Sequence, residues 1–166
     1  MDDLYNATKA VYGAGREFRA SARGRPCLEE LDWLEVNNIA DQAGRAAGIE
    51  RPIRVAQMGR WEAGSAPGDA CAEWRGGVPT IRLSRKAWDP LTVVHEVAHL
   101  VSTTERDQLH GGHGPYFVAR YLSLVSDMFG RRTAEELAGC MVRHGVRGVP
   151  RVFSDAGEFA ALTKAL

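Results

Sequence analysis

Residues 95–99 read His95-Glu96-Val97-Ala98-His99, an HExxH pattern inside an apolar run. The run is typical of a buried helix, and residues i and i+4 of a helix lie one turn apart on the same face. Both imidazoles can therefore reach one metal ion, and the Glu96 carboxylate lies close enough to accept a proton from a water molecule beside it. The stretch predicts a Zn²⁺ site in which Glu96 is the general base.

A third ligand is expected from the next segment, which reads His110-Gly111-Gly112-His113-Gly114-Pro115. Pro115 suits the first position of a new helix and Gly114 is acceptable as its cap, so His113 would lie at the mouth of that helix. A catalytic zinc ion takes three protein ligands and leaves one position open. His95, His99 and His113 satisfy that number.

Other residues compete with His113 for the third position. Glu105 lies six residues after His99, where the HExxHxxGxxH pattern has its third ligand, although Ser102 replaces the glycine of that pattern. His110 precedes the two glycines, and Glu135 or Glu136 could reach back from a later helix. The sequence alone leaves these alternatives open.

Around the metal, Tyr116 is a candidate to donate a hydrogen bond to a developing oxyanion. Ligand histidines commonly donate their second ring N–H group to a carboxylate, and the sequence does not choose between the three nearby candidates. His144 is expected at the surface or at a helix C-terminus rather than at the metal. The three carboxylates that could accept the second ring N–H group of a ligand histidine are Glu105, Asp107 and Asp127.

An HExxH helix followed by a loop and by His-Gly-Pro-x-Phe at residues 113–117 resembles the SprT-like zinc metallopeptidases. More narrowly, residues 78–129 are similar to small HExxH metallohydrolases of unassigned activity from actinobacteria and their phages. The resemblance implies that His95, His99 and His113 bind zinc and that Glu96 is the catalytic base. The chain has no CxxC…CxxC zinc ribbon of the kind found in larger SprT proteins, so their nucleic-acid binding is not carried over.

Composition limits the function classes that need to be considered. The 166 residues include 21 Lys and Arg and 21 Asp and Glu, so no overall charge favours DNA or an anionic membrane. The three cysteines form no CxxC pair, the N-terminus lacks the apolar core of a signal peptide, and no stretch has the length of a membrane span. These features favour a cytoplasmic protein and leave its oligomeric state undetermined.

The order of predicted elements indicates an α+β, zincin-like domain that spans residues 1–166. Its expected parts are a helical segment (1–50), strands (51–88), a zinc-binding core (89–130) and C-terminal helices (131–166). The sheet is expected to be small, antiparallel or mixed, and packed on the HExxH helix. Periodicity and turn signals predict helices at 2–20, 28–47, 91–103, 115–129, 133–144 and 154–164, and strands at 52–58, 71–75 and 78–83.

Residues 80–84 are the expected edge strand, beside which an extended peptide could lie by main-chain pairing. An ordinary sheet edge protected by Arg82 is the competing interpretation. The predicted activity is hydrolysis of peptide or protein substrates by a zinc-activated water, with Glu96 transferring the proton to the leaving amine. The alternative is a protein of zincin fold that binds zinc and acts in regulation or interaction without catalysis.

Overall fold

The computed structural model describes residues 2–21, 24, 27, 29–58, 70–102 and 112–150, with the side chains from residue 7 onward. These residues form an α+β arrangement of five α-helices and a three-stranded mixed sheet. The predicted helix at 154–164 lies outside the described residues. The helices are α1 (Asp2–Ala20), α2 (Trp33–Ala46), α3 (Pro90–Val101), α4 (Pro115–Phe129) and α5 (Arg131–Arg143), and the strands are β1 (Arg54–Gln57), β2 (Ala70–Arg75) and β3 (Val78–Leu83).

Helix α2 begins later than the sequence predicts, at Trp33 instead of residue 28. Its start is fixed by a capping box, because the Asp32 carboxylate accepts a hydrogen bond from the Glu35 amide at 2.8 Å. The Glu35 side chain in turn accepts one from the Asp32 amide at 2.8 Å. This reciprocal pair satisfies two backbone donors at the helix end, and it overrides the apolar periodicity that extends further towards the N-terminus.

The sheet has the order β1-β3-β2, with β1 parallel and β2 antiparallel to β3. Ile81 of β3 lies between Val55 of β1 and Ala72 of β2. The prediction that residues 80–84 form the edge strand is therefore wrong, and so is the interpretation as an edge protected by Arg82. The two edges of the described sheet belong to β1 and β2. The β2–β3 hairpin turns at Gly76 and Gly77, as predicted, and both have positive φ.

Helix α3 lies at the centre of the core, between the sheet, α2 and α4. Val93, Val94, Val97 and Ala98 are fully buried. Burial on all sides explains why the sequence of this helix is almost continuously apolar rather than amphipathic. Within the described residues, no helix combines the length and apolar character required to cross a membrane.

Helix α1 is attached to the start of α3 by a charged cluster. Asp89 caps α3 by accepting from the Thr92 amide at 2.9 Å, and its other oxygen lies 3.2 Å from the Arg19 guanidinium. Arg19 also donates to the Thr92 hydroxyl at 2.8 Å. These bonds hold α1 alongside the helix that carries the HExxH pattern.

Candidate metal centre

Two of the three histidines are positioned by α3 alone. His95 and His99 lie one turn apart, and their Nε2 atoms are 3.2 Å from each other. The C-terminal end of α3 is held by Trp74 of β2, whose indole N–H donates to the Leu100 carbonyl at 2.8 Å. The helix is thus fixed at both ends, which sets the direction in which the two imidazoles point.

His113 reaches the same point from the segment that precedes α4. Gly112 has φ of 77° and lies so close to α3 that a Cβ atom there would be 3.4 Å from Cε1 of His99. A glycine satisfies both requirements, since it has no Cβ and tolerates the left-handed region. The chain then enters α4 through Gly114 and Pro115, as the sequence predicts, and leaves His113 at the mouth of that helix.

The three imidazoles form a compact group of donor atoms. Nε2 of His113 lies 3.2 Å from Nε2 of His95, and each histidine offers a ring nitrogen within 4.8 Å of those of the others. A tetrahedral zinc ion with Zn–N bonds of about 2.0–2.1 Å holds its ligand nitrogens about 3.4 Å apart. The donor set and its spacing therefore fit a metal ion bound by three histidines.

Burial keeps these imidazoles in the form that binds metals. Desolvation, followed by the charges of the neighbouring histidines, holds the pKa of His95 well below its usual value. Desolvation and the His113 charge lower the pKa of His99 to about 3. At neutral pH both rings are uncharged and offer a lone pair, which coordination requires.

Glu96 lies between the two histidines in sequence and is 4% exposed. Its burial raises the pKa of the carboxyl group to about 8, far above the usual value. A carboxylate that is costly to ionise in a dry environment has a high affinity for a proton. A nearby cation would favour its charged form again. Glu96 therefore combines burial with proximity to the histidine group, as a general base requires.

Aromatic rings from α4 form one wall of the site. The Phe117 ring lies 4.9 Å from that of His95, 4.3 Å from that of His99 and 4.8 Å from that of His113. Tyr121, one helical turn later, lies 5.1 Å from the His95 ring. Both side chains are buried, so they restrict the orientations available to the imidazoles and exclude water from this side.

Helix α1 supplies two contacts that the sequence reasoning missed. The Tyr12 ring lies 5.8 Å from that of His95 and 5.4 Å from that of His113. Burial, and secondarily the Glu96 charge, raise the pKa of Tyr12. Thr8, one turn earlier, has its hydroxyl oxygen 3.4 Å from Nδ1 of His113. No motif indicates these contacts, because α1 is far from the HExxH pattern in sequence.

The other sequence candidates have different positions. Tyr116 has the Arg120 guanidinium carbon 5.6 Å from its ring centroid, and its oxyanion role stays a prediction. Glu135 pairs with Arg131 on α5 at 2.8 Å. His144 is the C-cap of α5, as expected. Glu105, Asp107 and His110 lie outside the described residues, and the described metal-ligand group includes neither Glu135, Glu136 nor Asp127.

In the comparisons with known proteins, no family model, curated protein or solved structure matches the chain. The assignment of the site therefore rests on the arrangement of its own residues.

Proposed function

We propose that the protein is a zinc-dependent peptidase with a zincin-type fold. The observation that carries the proposal is the convergence of three imidazoles, those of His95 and His113 buried, with the buried Glu96 carboxyl group on the helix that carries His95 and His99. Three histidines leave one position of a tetrahedral ion available, which is the donor arrangement of catalytic rather than structural zinc sites. The SprT-like resemblance of residues 78–129 agrees with this geometry and with the small sheet packed on α3.

The ion would be held by the Nε2 atoms of His95, His99 and His113. Thr8 would orient the His113 ring through the contact between its hydroxyl and Nδ1 of that ring. When bound, zinc supplies Lewis acidity that lowers the pKa of a water molecule and polarises a substrate carbonyl. Glu96 accepts the proton of the attacking water and then donates it to the nitrogen of the leaving amine. The Tyr12 ring lies against those of His95 and His113, and its hydroxyl is the group that we assign to donate a hydrogen bond to the carbonyl oxygen.

Burial of the site supports hydrolysis over simple metal storage. Burial gives Glu96 a high affinity for a proton, and a cation bound beside it would favour the carboxylate form that accepts one. The rings of Phe117 and Tyr121 cover one side of the histidine group. In the absence of catalysis, a buried carboxylate at this position would only destabilise the fold. This cost is typical of functional sites.

The test combines metal analysis with a peptide-cleavage assay on a mixed peptide library read by mass spectrometry. Wild type should contain one zinc per chain and cleave peptides. Glu96→Gln should keep zinc and lose cleavage, and His99→Ala should lose zinc. Glu50→Gln and His144→Ala are matched controls for zinc content, because neither residue belongs to the three-histidine group, and both should retain zinc.

A comparison of His113→Ala with His110→Ala tests the third ligand. Zinc lost in the first variant and kept in the second supports His113, whereas the reverse result transfers the role to His110. Full hydrolysis by Glu96→Gln would overturn the mechanism. Zinc binding without cleavage of any peptide by wild type would favour the non-catalytic alternative.

A further inference from the structure

A cavity of about 690 Å³ adjoins the metal centre on the side of His113. It lies between α1, the beginning of α4 and the turn that follows α5 at residues 144–147. His113 and Pro115 form part of its wall. Because His113 belongs both to the cavity and to the three-histidine group, a molecule in the cavity would lie beside one of the three histidines. Its volume is that of a site for a small ligand or for a few residues of a peptide.

The cavity is lined by cationic side chains. Lys9 and Arg16 come from α1, and Arg147 comes from the turn after α5. The described lining residues include no Asp or Glu. The chain as a whole carries equal numbers of acidic and basic residues, so this concentration of positive charge is local. A low-dielectric concave wall strengthens the field of such a group.

Among the α1 side chains that the structure describes, the one carboxylate is that of Glu17, and it is already bound to Arg143 and His144. It accepts hydrogen bonds from Arg143 at 2.6 and 2.8 Å, and Nε2 of His144 lies 2.9 Å from its second oxygen. Among the residues that the structure describes, neither Arg16 nor Arg147 forms a salt bridge. Their charges therefore remain available to an anion that enters the cavity.

The N-terminus of α4 adds to this positive potential. Its N-cap is Gly114, which has no side chain to accept hydrogen bonds from the first-turn amides, and Pro115 follows. Both residues line the cavity. Amides at an uncapped helix N-terminus favour an anion, and here they act together with the arginines around the same cavity.

We propose that this cavity binds a carboxylate of the substrate, so that the protein prefers peptides with an acidic group near the scissile bond. This inference rests on the proposed peptidase function for the nature of the substrate. A nucleic acid is disfavoured as the occupant, because no Phe, Tyr or Trp is present among the described lining residues to stack on bases. The carboxylate can belong to a Glu or Asp side chain or to the C-terminus of the peptide.

The experiment measures binding to zinc-loaded Glu96→Gln protein, which should hold substrate without cleaving it. Four fluorescent peptides of one sequence carry either Glu or Gln at a single position and either a free or an amidated C-terminus. We expect carboxylate-bearing peptides to bind about tenfold tighter than the uncharged one, the value of one charge-assisted hydrogen bond. The Glu and Gln peptides differ in a side-chain carboxylate, and the free and amidated peptides differ in the C-terminal one. Comparison of the two pairs identifies which carboxylate the cavity prefers.

Arg16→Gln and Arg147→Gln should each reduce the roughly tenfold ratio of affinities between charged and uncharged peptides towards one. Arg45→Gln is the matched control, since Arg45 is exposed on α2 and does not line the cavity. Equal affinity for charged and uncharged peptides, or no binding of either, overturns the proposal. Tighter binding of a single-stranded oligonucleotide than of the acidic peptides also overturns it.

The two proposals fail in different ways. Selective binding of acidic peptides without cleavage by wild type keeps the carboxylate site and removes the peptidase function. Cleavage of acidic and neutral peptides with equal kcat/KM keeps the peptidase and removes the carboxylate site. Zinc content of each variant, measured in parallel, confirms that the arginine substitutions leave the metal centre intact.

Discussion

Glu96 should make the metal-free protein less stable as the pH rises towards 8. Burial raises the pKa of its carboxyl group from the ordinary 4.5 to about 8 in the folded protein. Between these values the folded state binds a proton that the unfolded state has released. Stability therefore decreases as the pH rises through this window, in contrast to the usual behaviour of a salt-bridged carboxylate.

The magnitude follows from the two pKa values. Each pH unit inside the window changes stability by about 1.4 kcal/mol, and the effect flattens as the pH approaches 8. Between pH 5.5 and pH 7.5 the Glu96 contribution amounts to about 2.5 kcal/mol. The glutamine side chain of the Glu96→Gln variant has a similar shape and does not titrate, so this contribution should vanish in the variant.

His95 and His99 act in the opposite direction and are present in both proteins. Their pKa values are lowered by burial, so the unfolded state binds more protons below pH 6.5 and the fold loses stability as the pH falls. In wild type the Glu96 contribution offsets this loss, so the free energy of unfolding should be similar at pH 5.5 and pH 7.5. In Glu96→Gln the histidine effect remains alone, and stability should fall clearly at the lower pH.

The assay is urea unfolding of both proteins at pH 5.5 and pH 7.5 in the presence of a chelator. The change in unfolding free energy between the two pH values should differ by about 2.5 kcal/mol between wild type and variant. Zinc should reduce this difference, because a nearby cation favours the charged carboxylate. The same pH dependence in both metal-free proteins would refute the reasoning, since it would show that Glu96 ionises normally in the folded state.

Three further results are expected. Tyr12→Phe should lower kcat about a hundredfold with zinc content unchanged, because it removes a hydroxyl donor but keeps the ring; unchanged kcat would exclude this role. Thr8→Val should weaken zinc binding about tenfold, as measured by competition with a chromogenic chelator, since the hydroxyl contacts the back of His113. Asp32→Ala should cost about 1 kcal/mol in urea unfolding with no effect on zinc, because it removes the α2 cap.

Local signals account for the parts of the fold that the sequence predicts well. The bounds of α4 agree with the prediction at both ends, because Gly114-Pro115 is a strong helix start and Gly130 ends the helix with positive φ. The β2–β3 hairpin follows from Gly76-Gly77 in the same way. In each case the information lies within a few residues of the boundary that it sets.

Local helix and turn signals do not determine the order of the strands in the sheet. β1 pairs with β3 in parallel, although β2 and residues 59–69 separate the two strands in the sequence. Nothing in Arg54–Gln57 specifies a partner strand. The burial of Ile81 and Leu83 distinguishes a central strand only after the neighbours are known. The sequence therefore identified β3 as a strand and misplaced it at the edge of the sheet.

The contribution of α1 to the metal centre is a harder case, although one residue provides an indirect signal. Gly13 lies inside the predicted helix 2–20 and disfavours that helix by about 1 kcal/mol. In the structure a Cβ atom there would be 2.7 Å from Nδ1 of His144, so the glycine permits a close approach of α5. The adjacent Tyr12 packs against His95 and His113. A locally unfavourable glycine thus indicates a tertiary contact, while the identity of the partner emerges only from the folded chain.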